Sequence, residues 1–245
     1  MPRPMNLLAA RSADMPPNKL AMAAECPRAV RNGLALLLAW PQLKAAPRGD
    51  GRPVLVLPGI VDSDGAYFVM HRLLRRWGYR AYGWGLGANL GVRTIGRDAE
   101  HLVARIEAIA AEAGEPVTLV GISLGGIMGR VMARRRPELV REVITISSPY
   151  AGPPTSTNVW RLFELLTGEK ITDESVTAFQ QEAASPLAVP ATAIWSRSDG
   201  MVNGLICRNE HARGIEIESS HFWVQMHPDV LMAVAETLAG QATTH

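Results

Sequence analysis

Val117-Thr118-Leu119-Val120-Gly121-Ile122-Ser123-Leu124-Gly125-Gly126 is the stretch on which the reading of this chain turns. A β-branched apolar run meets Gly-Ile-Ser-Leu-Gly, and the helix-like residues Ile127 to Arg134 follow at once. The order predicts a buried strand, a sharp turn and a helix. Such a turn strains the serine backbone and lifts its hydroxyl above the end of a sheet. Gly121 and Gly125 have no Cβ, so strand and helix can approach closely around the serine. Leu124 opens the helix, where free N–H groups and the positive dipole end stabilise negative charge on a substrate oxygen. The plainer alternative is a serine that merely caps the helix. Its chemical partners decide between the two.

Outward from this stretch, short apolar runs alternate with helical patterns. Val54–Leu57, Tyr79–Trp84, Val143–Ile146, Ala191–Trp195 and Ile215–Glu218 read as strands. Residues 64–77 suit a helix with Asp64 as its cap, and residues 94–113 show apolar spacing at helical period. The alternation predicts an α/β fold, a mostly parallel central sheet flanked by helices. Residues 1–50 form an N-terminal extension with a packing helix, and residues 51–245 form the main domain after the breaker segment Pro47–Pro53. Residues 150–188 interrupt the rhythm and are too long for a plain connection, so they are expected to form a small helical cap. Within the extension, residues 1–17 read as loose and residues 18–45 as a helix kinked near Pro27. The apolar run Leu34–Trp40 stops at Pro41, too short for a membrane span. Packing on the domain is the expectation there, with an interfacial membrane anchor as the alternative.

Bulk properties agree with one globular domain. The chain has 245 residues, 47% hydrophobic and 20% charged, enough for a large core. A formal charge of +2 does not point to nucleic acid. Arg134-Arg135-Arg136 reads as a solvated helix end facing the negative pole of the dipole. Cys26 and Cys207 are the only cysteines, with no metal-ligand spacing and no disulfide framework, and are expected to be free buried thiols. The N-terminus has only a short apolar run around Leu7 to Ala10 and no secretory pattern, so a cytoplasmic protein is expected.

A serine hydroxyl needs a general base within reach. His221 directly follows the last strand run, and in a parallel sheet all strand carboxyl ends share one edge. It is therefore the chosen base, with His227 second, at the start of the last helix. His71 and His101 lie in helical patterns, His211 in a loop and His245 at the terminus. The base needs a carboxylate to hold its tautomer. Asp199, in Ser196-Arg197-Ser198-Asp199-Gly200, follows another strand and reaches the same edge. Ser147-Ser148-Pro149 leaves the alternative acid position without a carboxylate. The order Ser123, Asp199, His221 is the one expected behind a nucleophile elbow. The N–H groups of Leu124 and Ile60, the latter in the loop after the first strand, are the oxyanion donors. Asp62-Ser63-Asp64-Gly65 lacks the later ligands of a calcium loop and reads as a turn.

These residues resemble the α/β-hydrolase superfamily, and within it a bacterial esterase/lipase-like branch. The resemblance covers about residues 50–240. It rests on Leu57-Pro58-Gly59-Ile60, Gly121–Gly126, Ser196–Gly200, Ser220-His221 and the run Gly83–Gly91. It implies a Ser-His-Asp triad and no cofactor. Pro58 stands where the family usually has His, and the family's leading antiparallel strands have no counterpart. The expected activity is cleavage of a small carboxylic ester through an acyl-enzyme. Trp160 and Phe163, with Leu162, Leu165 and Leu166, are expected to line an apolar acyl site. Acyl transfer or amide cleavage by the same residues is the enzymatic alternative, and a non-catalytic binding protein is the other. No metal, nucleic-acid partner or transmembrane segment is expected, and oligomeric state is not readable.

Overall fold

Six apolar runs become six strands in the computed structural model, which describes residues 13–240. The run Leu7 to Ala10 and His245 lie outside the described residues. The strands are β1 (Pro53–Leu57), β2 (Arg80–Gly83), β3 (Val117–Ile122), β4 (Val140–Ile146), β5 (Ala191–Trp195) and β6 (Arg213–Glu216). They form one sheet in the order β2-β1-β3-β4-β5-β6, and every pairing is parallel. β1 and β3 are buried throughout because helices cover both sheet faces.

The helices, in chain order, are α1 (Lys19–Ala23), α2 (Glu25–Lys44), α3 (Phe68–Arg76), α4 (Val92–Ile95), α5 (Glu100–Ala113), α6 (Leu124–Arg135), α7 (Trp160–Thr167), α8 (Glu174–Ala184) and α9 (Pro228–Leu238). Alternation along β1 sorts them into two layers. Val54 and Val56 pack with Leu36 and Leu43 of α2, Leu73 of α3 and Val234 of α9. Leu55 and Leu57 pack with Ile106 of α5 and Met128 and Val131 of α6.

Several boundaries differ from the sequence reading, each for a local reason. The helical break falls at Ala24, because Pro27 sits in the first turn of α2, where no intrahelical N–H is needed. α2 continues through Pro41 to Lys44, held by buried Leu43, whose carbonyl accepts from Trp77 Nε1 at 2.7 Å. The 94–113 pattern splits into α4 and α5, since Gly96 and Ala99 both have positive φ. Asp64 caps nothing. Its carboxylate accepts from Trp84 N (2.9 Å) and Gly85 N (3.0 Å) and pins the end of β2.

The arginine run stands at an exposed helix end, as expected, and makes ion pairs there. Arg135 bonds Glu182 of α8 at 2.8 Å, and Arg136 bonds Glu138 at 2.6 Å and Glu107 of α5. Both cysteines are free, but Cys26 is exposed on α2 and only Cys207 is buried. No described helix is long and apolar enough to cross a membrane.

Candidate active site

Ser123 stands between the last residue of β3 and the first of α6 with φ 51° and ψ −118°, a conformation that L-residues avoid. Its side chain does not cap the helix. The neighbouring glycines explain how the turn closes. A Cβ on Gly121 would lie 2.5 Å from Gly125 O, and one on Gly125 would lie 2.2 Å from Leu57 O. Any side chain there would collide with backbone, which cannot move aside.

The loops after β5 and β6 carry Asp199 and His221. Asp199 is buried, and its Oδ1 accepts from Met201 N (2.9 Å) and Val202 N (2.8 Å). Its Oδ2 lies 2.8 Å from His221 Nδ1. A carboxylate so placed only accepts, so it draws the imidazole proton to Nδ1 and leaves Nε2 with its lone pair. Burial disfavours the charged imidazole. The Asp199 carboxylate and its hydrogen bond, with Glu25 and Asp62 beyond, outweigh burial and raise the His221 pKa above the ordinary value. His227 is engaged elsewhere, since its Nδ1 accepts from Asp229 N at 3.2 Å and caps α9.

The loop after β1 passes beside the serine. A Cβ built on Gly59 would lie 3.6 Å from both Ser123 Cβ and Asp62 Oδ2. The Asp62 whose charge reaches His221 therefore lies beside the serine turn as well. Gly59 N donates to Tyr67 Oη (2.9 Å), and Tyr67 donates to Asp62 Oδ2 (2.7 Å). Burial, with the Asp62 charge beside it, lifts the Tyr67 pKa so far that the phenol stays a donor. Val61 N donates to Asn89 O, while buried Asn89 Nδ2 donates to Pro58 O at 2.7 Å. The N–H groups of Ile60, between these anchored residues, and of Leu124 have no acceptor among the described residues.

No protein-family model matches the sequence. Solved structures do match. A Bacillus licheniformis lipase in mature form is 19% identical, with 79% of this chain and 94% of that one covered at TM-score 0.59. A Paleococcus ferrophilus monoacylglycerol lipase is 18% identical, with 78% and 97% covered at TM-score 0.56. One metagenome-derived lipolytic enzyme is 16% identical, with 80% and 96% covered at TM-score 0.59. At these identities the likeness is one of fold. The chain has the α/β-hydrolase fold.

In this α/β-hydrolase fold the insertion between β4 and β5 forms one wall of a cavity of about 350 Å³ that Ser123, Leu124 and Ile60 also line. Trp160 and Phe163 of α7 and Phe179 of α8 face into it. Leu162 and Leu165 do not. They are exposed, because they sit on the opposite side of α7 from Trp160 and Phe163. Leu166 is not among the lining residues either. Among the described residues no His, Cys, Asp and Glu side chains gather as a metal site.

Sequence reasoning misses Tyr67, Asn89 and Glu25. Tyr67 and Asn89 brace the loop that carries Ile60. Glu25, at the start of α2, accepts from backbone N–H groups next to Asp199 and at His221. Only Asn89 carries a signal, since it falls in the Gly83–Gly91 run on which the family resemblance partly rests.

Proposed function

We propose that the protein is a serine hydrolase of small carboxylic esters with Ser123 as nucleophile, His221 as general base and Asp199 as its orienting acid. The observation that carries this reading is the pair of buried Asp199 and partly buried His221 at the sheet edge where a strained serine opens into an apolar cavity. His221 Nε2 takes the hydroxyl proton as Ser123 Oγ attacks the ester carbonyl. Asp199 stabilises the imidazolium that results. The N–H groups of Leu124 and Ile60 receive the developing oxyanion. His221 then gives its proton to the leaving alcohol. Water, activated by the same imidazole, attacks the acyl-enzyme and frees the acid and Ser123.

The acyl group takes the cavity beneath α7 and α8, with Trp160 and Phe163 as apolar walls, so the insertion serves as a cap. The three lipolytic enzymes that share the fold support an ester as the substrate class. His221 must be neutral to act as base. Since its pKa is raised, kcat/KM rises with pH through a midpoint above the ordinary histidine value and is lost below it. A profile flat between about pH 5 and 8 contradicts this assignment.

p-Nitrophenyl esters of graded acyl length test the reading. Ser123→Ala should remain folded and lose at least about 10⁴-fold in kcat/KM on every ester. Retained turnover in that variant removes Ser123 from the mechanism. The wild-type chain-length optimum reports how deeply the acyl group enters the cavity.

A further inference from the structure

α2 does more than cover the sheet. Its first residue, Glu25, is fully buried, and its carboxylate bridges two loops that are separate in sequence. Oε1 accepts from Gly200 N at 2.7 Å, directly after Asp199. Oε2 accepts from His221 N at 2.7 Å and Phe222 N at 2.9 Å. These partners are three backbone N–H groups rather than a lysine or arginine. The same helix makes two further loop contacts. Arg28 donates to Ser198 O, and Asn32 Nδ2 donates to Ser220 Oγ at 2.8 Å. Gly200 leaves room for the preceding helix α1: a Cβ there would lie 2.3 Å from Ala21 O.

We propose that Glu25 is a positioning residue for the acid–base pair, fixing the Asp199 and His221 loops against each other and supporting the imidazolium formed in turnover. The inference rests on the hydrolase reading above. Helix docking alone would need no charge at this point, since neutral acceptors can bind backbone N–H groups. A carboxylate can accept three such bonds on two oxygens, whereas an amide has one acceptor oxygen and an NH₂ that would oppose an N–H donor. The leading charges on His221 are those of Asp199, Glu25 and Asp62, all negative, while the Arg28 guanidinium stands one turn along α2 on the Ser198 carbonyl.

The test compares Glu25→Gln and Glu25→Asp with wild type on a short p-nitrophenyl ester, with rates normalised to folded protein by circular dichroism. Glu25→Gln should lose about 10- to 100-fold in kcat with KM within about twofold, the scale known for outlying groups that orient metal-binding histidines and well below that of a directly bonded acid. Its acid limb should move to lower pH, because one of three negative charges around the imidazole is gone. Glu25→Asp, which keeps the charge but shortens the reach, should lose part of kcat and leave the acid limb near its wild-type position. Wild-type kcat and acid limb in folded Glu25→Gln overturn the proposal. If that variant does not fold, Glu25→Asp decides, and wild-type kcat there overturns it equally. Ser123→Ala separates the two failures. Activity in Ser123→Ala removes the hydrolase reading itself, whereas an inactive Ser123→Ala beside a wild-type-like Glu25→Gln removes only the role of Glu25.

Discussion

At the serine, the constraints fall on the glycines two residues to either side and are almost all backbone. Gly121 and Gly125 remove Cβ atoms where β3, α6 and the end of β1 meet, and Ser123 takes the strained φ between them. At the imidazole the constraints come from far along the chain. Glu25 lies 175 residues from Gly200 and 196 from His221, and side-chain hydrogen bonds rather than steric exclusion join them. Steric placement tolerates almost no substitution but needs no partner. Hydrogen-bonded placement can be tuned, and its carboxylates also set the charge around the imidazole. One α/β-hydrolase fold thus holds the serine and the imidazole by different physics.

The comparison can be broken from either side, and the largest effect is expected at the acid. Asp199→Asn should lower kcat about 10⁴-fold with little change in KM, because the amide no longer enforces the Nδ1–H tautomer of His221. A loss under tenfold in steady-state kinetics would mean that the pair is not what sets the rate. Next comes the serine side. Gly125→Ala places a methyl 2.2 Å from the Leu57 carbonyl and should cost about 3 kcal/mol or more by urea unfolding. Gly129→Ala, one turn along the same helix, meets side chains and no backbone, the nearest being Leu57 Cδ1 at 3.3 Å, and should stay within about 1 kcal/mol of wild type. Equal costs for the two would remove the steric account of the turn. The smallest effect concerns the cavity wall. Phe163→Ala should lower the ratio of kcat/KM for long over short acyl esters by about tenfold, leaving short esters little affected. An unchanged ratio would place the acyl group elsewhere.

What is legible in the sequence follows the same division. The inner strands can be read because parallel strands buried on both faces are short apolar runs, whereas β2 and β6, partly exposed at the two ends of the sheet, show only scattered apolar residues. Ser123, Asp199 and His221 stand out because each falls at or within a few residues of a strand's carboxyl end, and parallel strands bring these ends to one edge. Residues that act across the fold leave no such trace. Glu25 looks like any acidic residue in the first turn of a helix, and Tyr67 like a core aromatic. Asp64 reads as a cap because N-caps and long-range clamps use the same side chain. Composition alone assigns Leu162 and Leu165 to the cavity, whereas the helical phase of Trp160 and Phe163 excludes them.

The central claim is that Ser123 is activated by the paired histidine. Peptide mapping after reaction with a fluorophosphonate tests it most directly, on wild type, His221→Ala and urea-unfolded protein. A single adduct on Ser123 should form in folded wild type, at least about 10³-fold more slowly in His221→Ala and not at all after unfolding. An adduct on another residue, or labelling of Ser123 at the same rate without His221, would contradict it.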